Sequence, residues 1–394
     1  MQYRIKTFNA VSEKGLSLFE KNRYVVGDNI TEPHAILVRS AELHEVKWDP
    51  ITLIVGRAGA GTNNIPVTKL TQLGIPVLNT PGANANAVKE LVIAGLLLAS
   101  RHICQAWNYT LQLKGSDEEI HKEVEKNKKQ FKGFELQGKT IGIIGLGKVG
   151  VKVANATIAL GMKVKGFDPT ITIENAWELS PLVQHALSLD EAIEEVDFIT
   201  VHVPLTEKTQ NFINADQIKK MKQGAVLLNF AREEIVSIPA LMQAVNEKKM
   251  ACYICDFPSH EFKNHPSILT LPHLGASTEE AEENCAIMVV HQIKEFLEKG
   301  NIRNSVNFPE VFLPQEEGFR VAIVNANVPN MVAQISTVLA KFNANILNMI
   351  NKSKQDIAYT LLDLNKEPSE EVLTQISKIP GVVRVRKVPS QTSS

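Results

Sequence analysis

Short apolar runs alternate with polar, turn-rich stretches from the first residues of the chain to about Gly82. The runs are YRIKTF, AILVRS, LIVGRAG and IPVLNTPG, and each has the length of a strand. Strands of this kind separated by helical stretches indicate a small parallel α/β domain. The next stretch, NAVKELVIAGLLLASRHICQAW, is apolar nearly all round, so it predicts a helix buried against a domain or a partner subunit.

From Lys139 the pattern becomes a series of βα units. The apolar runs are now KTIGIIG, MKVKGFD, VDFITVHVP, GAVLLNF, ACYICDF and SILTLPH. Nearly continuous apolar strands are typical of a parallel sheet that is covered on both faces. After them NSVNFPEVFLPQEEG, rich in Pro, Glu and Asn, is predicted to be a linker. The tail that follows has the order βαββαβ, which predicts a ferredoxin-like α+β domain.

Composition limits the class of protein. At 394 residues the chain is long enough for two or three domains. Lys and Arg total 42 against 43 Asp and Glu, so nothing favours a nucleic-acid partner. The N-terminus MQYRIKTFNA alternates like a strand, and the longest strongly apolar run, Leu91 to Ala99, is too short to cross a bilayer. We therefore expect no signal peptide, no membrane contact and a cytoplasmic location.

The four cysteines predict neither a metal site nor a redox pair. Cys252 and Cys255 form a CYIC spacing, but zinc would need a second pair, and Cys104 and Cys285 lie alone. A redox pair normally opens a helix, whereas ACYICDF has the pattern of a strand. Buried side chains in a core strand are the expected role of this pair.

A dinucleotide site is predicted at IGIIGLGKVG. Gly145, Gly147 and Gly150 follow a strand and precede an amphipathic helix, which is the context that gives this spacing its meaning. Gly145 would make the turn, Gly147 would let a pyrophosphate approach, and Gly150 would allow close packing of helix on strand. Backbone amides at the helix start, at Lys148 and Val149, would hold the phosphates.

The second strand of the nucleotide unit ends in Asp168. A carboxylate here accepts hydrogen bonds from the adenosine ribose hydroxyls and repels a 2′-phosphate. No Arg follows in DPTIT. The predicted cofactor is therefore NAD rather than NADP.

Three charged or titratable residues stand at the ends of predicted strands or beside them. Arg232 follows the apolar run GAVLLNF, His273 ends the last strand in LTLPH, and Glu261 lies on the loop before that strand. Alone, Pro-His at a strand end can be structural, and Glu261 can be a solvated loop acid. Together with an NAD site they form the set that hydride transfer from a 2-hydroxy acid requires. Arg232 would bind the carboxylate through two hydrogen bonds, while His273 would carry the proton.

Several motifs resemble the D-2-hydroxyacid dehydrogenase family over essentially the whole chain. They are GRAGAGTNNI, NTPGANANAVKELVIAGLLLASR, GKTIGIIGLGKVG, HVPLTEKTQNFINADQIKKMKQGAVLLNFARE and LPHLGAST. The resemblance implies that Arg232, Glu261 and His273 are the catalytic residues, with Glu261 orienting the His273 ring and favouring its protonated form. The loop departs from the family in having Phe262 where the family has Pro.

The resemblance also implies further contacts. For the cofactor these are His202, Pro204, Ala231 and Asp256. For the substrate they are Arg57, Ala58 and Gly59, with Asn84 at the domain hinge and Arg39 as a second anion contact. It implies a doubly wound Rossmann-type sheet inserted in a smaller flavodoxin-like substrate domain. The expected division is 1–84 and 276–304 for the substrate domain, 85–275 for the NAD domain, 305–317 for the linker and 318–394 for the tail.

The tail resembles an ACT domain from Phe319 to about Val388. In serine-sensing relatives the turn after the first strand reads His-x-Asn-x-Pro-Gly, and here it reads NANVPN. The resemblance implies effector contacts at Asn325, Asn327 and Asn345, with Asn330 where Gly is usual. L-serine is the first effector expected, and a domain kept only for assembly is the alternative.

The reaction that the resemblance implies is the NAD-dependent oxidation of D-3-phosphoglycerate to 3-phosphohydroxypyruvate. The tail favours it over other reactions of the family, because an amino-acid-sensing domain suits the first step of a biosynthetic pathway. Other acids of the family, such as glyoxylate, hydroxypyruvate or lactate, remain alternatives, as does a non-catalytic NAD-sensing corepressor. The apolar helix after Asn84 and the edge strands of the tail suggest a homodimer or homotetramer.

Overall fold

The computed structural model describes residues 2–9, 11–314 and 317–389. Residues 315–316 of the predicted linker and 390–394 of the predicted tail domain lie outside the described residues. The strands, in chain order, are β1 Tyr3–Phe8, β2 Tyr24–Gly27, β3 Ala35–Val38, β4 Ile54–Arg57, β5 Val77–Leu78, β6 Thr140–Ile144, β7 Lys163–Phe167, β8 Gln184–His185, β9 Phe198–Val201, β10 Ala225–Asn229, β11 Met250–Cys255, β12 Ile268–Thr270, β13 Phe319–Ala326, β14 Ile346–Lys354, β15 Ile357–Leu364 and β16 Val382–Lys387.

The α-helices, in chain order, are α1 Glu13–Leu16, α2 Val67–Gln72, α3 Ala85–Arg101, α4 Ile103–Leu111, α5 Asp117–Asn127, α6 Lys148–Ala159, α7 Ile173–Glu178, α8 Leu189–Ile193, α9 Ala215–Lys220, α10 Ile238–Asn246, α11 Glu279–Lys299, α12 Met331–Lys341 and α13 Glu370–Ser377. Short 3₁₀ turns lie at Lys128–Phe131 and Glu233–Ile235. In the described part of the chain, no helix combines the length and the apolar character that a membrane crossing requires.

Contacts between Cα atoms divide the chain into two compact units. One consists of Met1–Ala83 and Glu279–Ser394, and the other is Asn84–Thr278. These units group the tail with the first region, whereas the sequence predicts a separate tail domain. The predicted boundaries therefore stay predictions, and each unit is described by itself.

The first unit begins with a parallel sheet of order β2-β1-β3-β4-β5. This is the flavodoxin-like order that the sequence predicts. β3 consists of Ala35, Ile36, Leu37 and Val38, all buried, because a strand covered on both faces needs apolar side chains on both sides. α11 returns to pack on this sheet and places Val289 and Ile293 against Gly56 of β4, where a Cβ would lie 2.5 Å from Val289.

The second unit has the parallel order β12-β11-β10-β9-β6-β7-β8. Strand order reverses between β6 and β9, which makes the carboxyl ends of these two strands the place where a doubly wound sheet binds a dinucleotide. Cys252 and Cys255 lie buried on β11. The predicted Rossmann-type fold is confirmed.

The tail forms an antiparallel sheet of order β14-β15-β13-β16, with α12 and α13 connecting its strands. The predicted ferredoxin-like order βαββαβ is confirmed. The sheet is not isolated, since Ala322, Val324 and Tyr359 share a hydrophobic core with Tyr3 and Phe296 of the same unit. Arg320 of β13 is fully buried, and it binds Asp363 through two hydrogen bonds of 2.7 and 2.9 Å.

The segment predicted to be a linker is packed in its described part. Ser305, Asn307, Phe308 and Val311 are buried. The amide of Asn307 accepts a hydrogen bond from the Val77 N–H at 2.8 Å, and the edge of the first sheet is thereby closed. Its Pro, Glu and Asn content suggests a linker by composition, but here polar side chains satisfy backbone groups of the sheet.

Candidate active site

The glycine turn has the geometry of a phosphate-binding loop. Gly145 adopts the left-handed φ of 93°, and a Cβ there would lie 2.8 Å from the carbonyl carbon of His202. A Cβ on Gly150 would lie 1.9 Å from the Gly145 oxygen, so helix and strand meet too closely for any side chain. A Cβ on Gly147 would meet no atom of the described chain within 4 Å. The backbone at Gly147 is therefore open to a ligand.

The start of α6 faces this opening. Gly147 is the N-cap, Lys148 and Val149 follow as the first helical residues, and the first turn contains no acidic side chain. The Lys148 ammonium pairs with Glu174 at 2.9 Å and with Glu178 at 3.2 Å. Its side chain is thus held by α7, while the unpaired N–H groups of the helix start remain available to an anion.

Asp168 follows β7 and is fixed beside the glycine turn. One carboxylate oxygen accepts the Leu146 N–H at 2.9 Å, and the other accepts the Thr170 N–H at 2.8 Å and the Thr170 hydroxyl at 3.0 Å. These bonds orient the carboxylate before any ligand arrives. A fixed negative charge at the end of the second strand is what discrimination against a 2′-phosphate requires.

His202 and Pro204 follow β9, on the other side of the point where strand order reverses. The His202 Nε2 is hydrogen-bonded to the Thr200 hydroxyl at 3.0 Å. Burial lowers the pKa of His202 to about 4, so the ring is neutral at physiological pH. Pro204 is exposed two residues further on.

The turn that carries Arg232 is organised by a buried asparagine at the end of β10. The Asn229 side chain donates to the Arg232 carbonyl at 2.8 Å and accepts from the Ala231 N–H at 3.1 Å. The partly buried guanidinium of Arg232 donates to the Ala231 carbonyl at 2.6 Å. Asn229 positions this turn, and its only signal in the sequence is a polar amide at the end of the apolar run GAVLLN.

Asp256 directly follows β11. It is 2% exposed, and one carboxylate oxygen accepts the Gly275 N–H at 3.2 Å. Burial raises the pKa of Asp256, and the charges of His273 and Arg232 act in the opposite direction. The other carboxylate oxygen is buried and has no hydrogen-bond partner among the described residues. A buried acceptor without a donor fits the amide N–H of a nicotinamide ring.

His273 is presented by a strained backbone. It has a φ of 45°, its N–H donates to the Asp256 carbonyl at 3.1 Å, and its side chain is exposed. The ring stands nearly perpendicular to Phe257, with 5.7 Å between centroids. A non-glycine residue in the left-handed region is rare and is frequently found at functional sites.

Glu261 lies in an exposed turn, and within the described residues its carboxylate makes no hydrogen bond or ion pair with His273. The pairing of these two residues stays a prediction. Phe262, which stands in the place of the family's Pro, is buried, and its ring lies 5.7 Å from that of Tyr253. The Tyr253 hydroxyl lies 3.4 Å from the Asn229 amide nitrogen. The loop of Glu261 is thus anchored next to the turn of Arg232.

In the first unit, Arg57 ends β4 and lies against Gly59, where a Cβ would be 2.4 Å from a guanidinium nitrogen. Ala58 between them is buried. The Arg57 Nε donates to the Asn64 side-chain oxygen at 3.1 Å. Arg39, after β3, is bonded to the carboxylate of Glu282, so this predicted anion contact is paired with a protein carboxylate.

The remaining predicted contacts lie at element ends. Asn84 is the N-cap of α3 but its side chain makes no capping hydrogen bond. In the tail, the Asn327 amide donates to the Gln355 carbonyl at 2.9 Å, and Asn345 is exposed. Asn325 is 1% exposed and its side-chain oxygen has no partner among the described residues. Asn330 has a φ of 72°, which explains why Gly is usual at this position.

The comparisons with known proteins agree with this geometry. Residues 93–275 match the family described as D-isomer specific 2-hydroxyacid dehydrogenase, NAD binding domain. A D-3-phosphoglycerate dehydrogenase of Haemophilus influenzae is 32% identical, over 98% of this chain and 94% of its own. One of Saccharomyces cerevisiae is 29% identical, over 97% of this chain and 87% of its own.

A solved structure of NAD⁺-bound 3-phosphoglycerate dehydrogenase from Entamoeba histolytica is 28% identical, with a TM-score of 0.60. It matches 79% of this chain and 100% of its own. These relatives and the site define the class of protein as an NAD-dependent oxidoreductase. The site combines an open glycine turn, the fixed carboxylate of Asp168, and the side chains of Arg232 and His273 near the buried carboxylate of Asp256. The chain belongs to the D-isomer specific 2-hydroxyacid dehydrogenase family.

Proposed function

We propose that the protein is a D-3-phosphoglycerate dehydrogenase, which oxidises D-3-phosphoglycerate to 3-phosphohydroxypyruvate with NAD in the first step of L-serine biosynthesis. The observation that carries the proposal is the likeness to relatives of this name, which extends over 98% of the chain in the Haemophilus influenzae relative.

The reacting end of the substrate is assigned to the second unit. Arg232 binds the carboxylate and the C2 oxygen, because its planar fork matches two oxygen acceptors. His273 removes the hydroxyl proton from the C2 oxygen as the carbonyl forms. NAD, when bound, would supply the acceptor for the hydride that leaves C2. Asp256 would hold the carboxamide of the nicotinamide through its unpartnered oxygen.

The Glu261 carboxylate is assigned to His273 in the substrate complex, where it orients the ring and stabilises its protonated form. Catalytic hydrogen bonds are often long in ligand-free enzymes and shorten only in the substrate complex. The contact between the rings of Phe262 and Tyr253 anchors the loop, so that only the Glu261 side chain has to approach His273. In the reverse reduction the same proton returns from His273 to the C2 oxygen.

The phosphate is assigned to the two arginines of the first unit. Burial raises the pKa of the Cys285 thiol, while the charges of Arg57 and Arg39 act in the opposite direction. Both guanidinium groups are therefore close enough to the Cys285 sulfur for their charges to act on its pKa. Two cations at the carboxyl ends of neighbouring strands suit a dianion better than the uncharged methyl of lactate.

A substrate panel tests the proposal. We expect NADH formation with D-3-phosphoglycerate at a kcat/KM at least about tenfold above that with D-glycerate or D-lactate. NADP should replace NAD poorly, because of Asp168. Equal rates for glycerate and phosphoglycerate would refute the assignment of the phosphate. Binding of NADH without turnover of any acid would instead support a non-catalytic NAD sensor.

The tail is proposed to bind an amino-acid effector, with L-serine as the first candidate. The motivation is the turn at Asn325 and Asn327, where a buried amide oxygen lacks a partner. Calorimetric titration of the whole enzyme with L-serine, with and without NADH, tests this. Linkage requires the two ligands to change each other's affinity by the same factor. No heat at millimolar serine and unchanged activity would leave the tail a structural domain.

We further propose a homodimer or homotetramer in the cytoplasm. α3 and α4 expose Leu97, Ile103, Trp107 and Leu111 beside a shallow groove of about 530 Å³. An apolar surface of this kind on paired helices is typical of a subunit interface. Analytical ultracentrifugation of the wild type and of Trp107→Glu tests the interface, since the charged variant should dissociate. An unchanged sedimentation coefficient would place the interface elsewhere.

A further inference from the structure

Asn64 contacts both arginines to which we assign the phosphate, Arg57 through its side chain and Arg39 through its backbone. It is 8% exposed, although it belongs to the polar, glycine-rich stretch GRAGAGTNNI. Its side-chain oxygen accepts the Arg57 Nε–H at 3.1 Å. Its side-chain nitrogen donates to the Ala41 carbonyl at 2.8 Å and to the Arg39 carbonyl at 3.5 Å. One buried amide therefore connects the loop of Arg57 with the loop of Arg39.

These contacts restrict both cations. The Arg57 guanidinium packs against the backbone of Gly59, where a side chain would leave no room for it. The Arg57 Nε is held by Asn64. The backbone after Arg39 is held by the amide nitrogen of the same residue, while the Arg39 side chain is held by Glu282. A further bond joins Asn64 to this region, since the Leu43 N–H donates to the Asn64 carbonyl at 2.9 Å.

We propose that Asn64 is a positioning residue that sets the geometry of the anion site by fixing Arg57 directly and the loop of Arg39 through its backbone. The inference rests on the proposed function, because it assumes that Arg57 contacts the substrate. Asn64 is not assigned a contact with the substrate and acts through the two arginines. A long arginine side chain loses several rotatable bonds when it binds an anion, and holding its Nε beforehand reduces that loss.

The test compares Asn64→Ala with a matched control, Asn307→Ala. Asn307 is also 8% exposed and belongs to the same unit. Its amide accepts from the Val77 N–H at 2.8 Å and donates to the Ile75 carbonyl at 3.1 Å and to the Thr71 hydroxyl at 2.9 Å. Both variants lose a buried amide, so both should lower the melting temperature. Asn64→Ser is a second variant for use if Asn64→Ala does not fold.

We expect Asn64→Ala to raise the KM for D-3-phosphoglycerate by about tenfold or more, the size typical of losing a hydrogen bond to a charged group. The Kd for NADH should stay within about twofold of wild type, because Asn64 does not belong to the cofactor unit. Asn307→Ala should leave the KM near the wild-type value. In the Arg57→Ala background, Asn64→Ala should raise KM much less than in the wild type, because its main contact is already gone.

The outcomes separate the inference from the function on which it rests. If Arg57→Ala raises KM but Asn64→Ala does not, the positioning role is refuted alone. If Asn307→Ala raises KM as much as Asn64→Ala, the effect is a general loosening of the unit, and the inference is again refuted. If Arg57→Ala leaves KM unchanged, the proposed anion contact fails and the role of Asn64 fails with it.

Discussion

Alanine substitutions at two glycines of the cofactor turn should both weaken NADH binding but should differ in their effect on stability. Gly147 has φ −73° and ψ −168°, which alanine adopts without strain, and a Cβ there would be in open space. The smaller entropy of the unfolded chain should stabilise Gly147→Ala by up to about 1 kcal/mol, and the weaker N-cap that alanine gives α6 should offset this by a similar amount, so the net change in stability should be small. The added methyl group would nevertheless occupy the space through which a pyrophosphate approaches the backbone.

Gly150→Ala should behave differently. Its Cβ would lie 1.9 Å from the Gly145 oxygen, whereas ordinary contacts begin at 3.4 Å, so strand and helix must separate by about 1.5 Å. Overpacking of this kind costs about 1–3 kcal/mol. In a unit of this size such a loss lowers the melting temperature by about 2–10 °C. NADH binding should weaken as well, because the turn moves with the helix.

Thermal unfolding and NADH titration of the purified variants test both predictions. We expect Gly147→Ala to unfold close to the wild-type temperature but to bind NADH at least about tenfold more weakly. Gly150→Ala should lose both stability and affinity. If Gly147→Ala binds NADH as tightly as the wild type, the pyrophosphate does not lie against this backbone, and our account of the turn is wrong.

Four further predictions concern single side chains. His273→Ala should lower kcat by about 10²–10⁴-fold and leave NADH binding nearly intact, because it removes only the proton carrier. Glu261→Gln should move the acid limb of the pH–rate profile to lower pH, because the imidazolium loses a neighbouring negative charge. Arg232→Lys should lower kcat/KM for the acid, since an ammonium lacks the planar fork that a carboxylate fits. His202→Asn should flatten the pH dependence of stability between pH 6.5 and about 4. In that range the His202 ring binds a proton in the unfolded chain but not in the folded protein. The free energy of unfolding of the wild type should therefore decrease as the pH is lowered from 6.5 to about 4, by at most about 3 kcal/mol.

Each of these has a result that would contradict it. Near-normal turnover in His273→Ala would remove its catalytic role. An unmoved pH–rate profile in Glu261→Gln would count against the pairing with His273. Equal losses of acid and NADH affinity in Arg232→Lys would indicate a folding defect. Parallel stability curves for His202→Asn and the wild type, from denaturant unfolding at several pH values, would show that this ring titrates normally in the folded protein.

The sheets and the cofactor turn could be predicted because their determinants are local. Apolar runs of strand length, the three glycines and Asp168 are adjacent in sequence to the elements they define. The bond between Arg39 and Glu282 joins residues 243 positions apart, and no pattern near either residue indicates it. The roles of Asn64 and Asn229 depend on loop conformations that bring an amide to a particular backbone group, which spacing alone does not encode.

The packing of the segment after α11 was missed for a related reason. Pro, Asn and Ser are typical of linkers because they satisfy turns locally. The Asn307 side chain instead accepts a hydrogen bond from the Val77 N–H, at the edge of the first sheet. These two residues are 230 positions apart in the sequence. Likewise, the sheet of the tail has one face in the core of the first unit. That arrangement depends on Arg320, Tyr359 and Arg386 bonding to backbone carbonyls from other parts of the chain.

Direct transfer of the C2 hydrogen is the most direct test of the proposed reaction. The wild-type enzyme would be given NAD and D-3-phosphoglycerate deuterated at C2, and the NADH formed would be analysed by mass spectrometry and NMR. We predict one deuterium in each NADH, at C4 of the nicotinamide, together with an equal amount of 3-phosphohydroxypyruvate. Absence of turnover with this substrate, or formation of NADH without deuterium, would contradict the account.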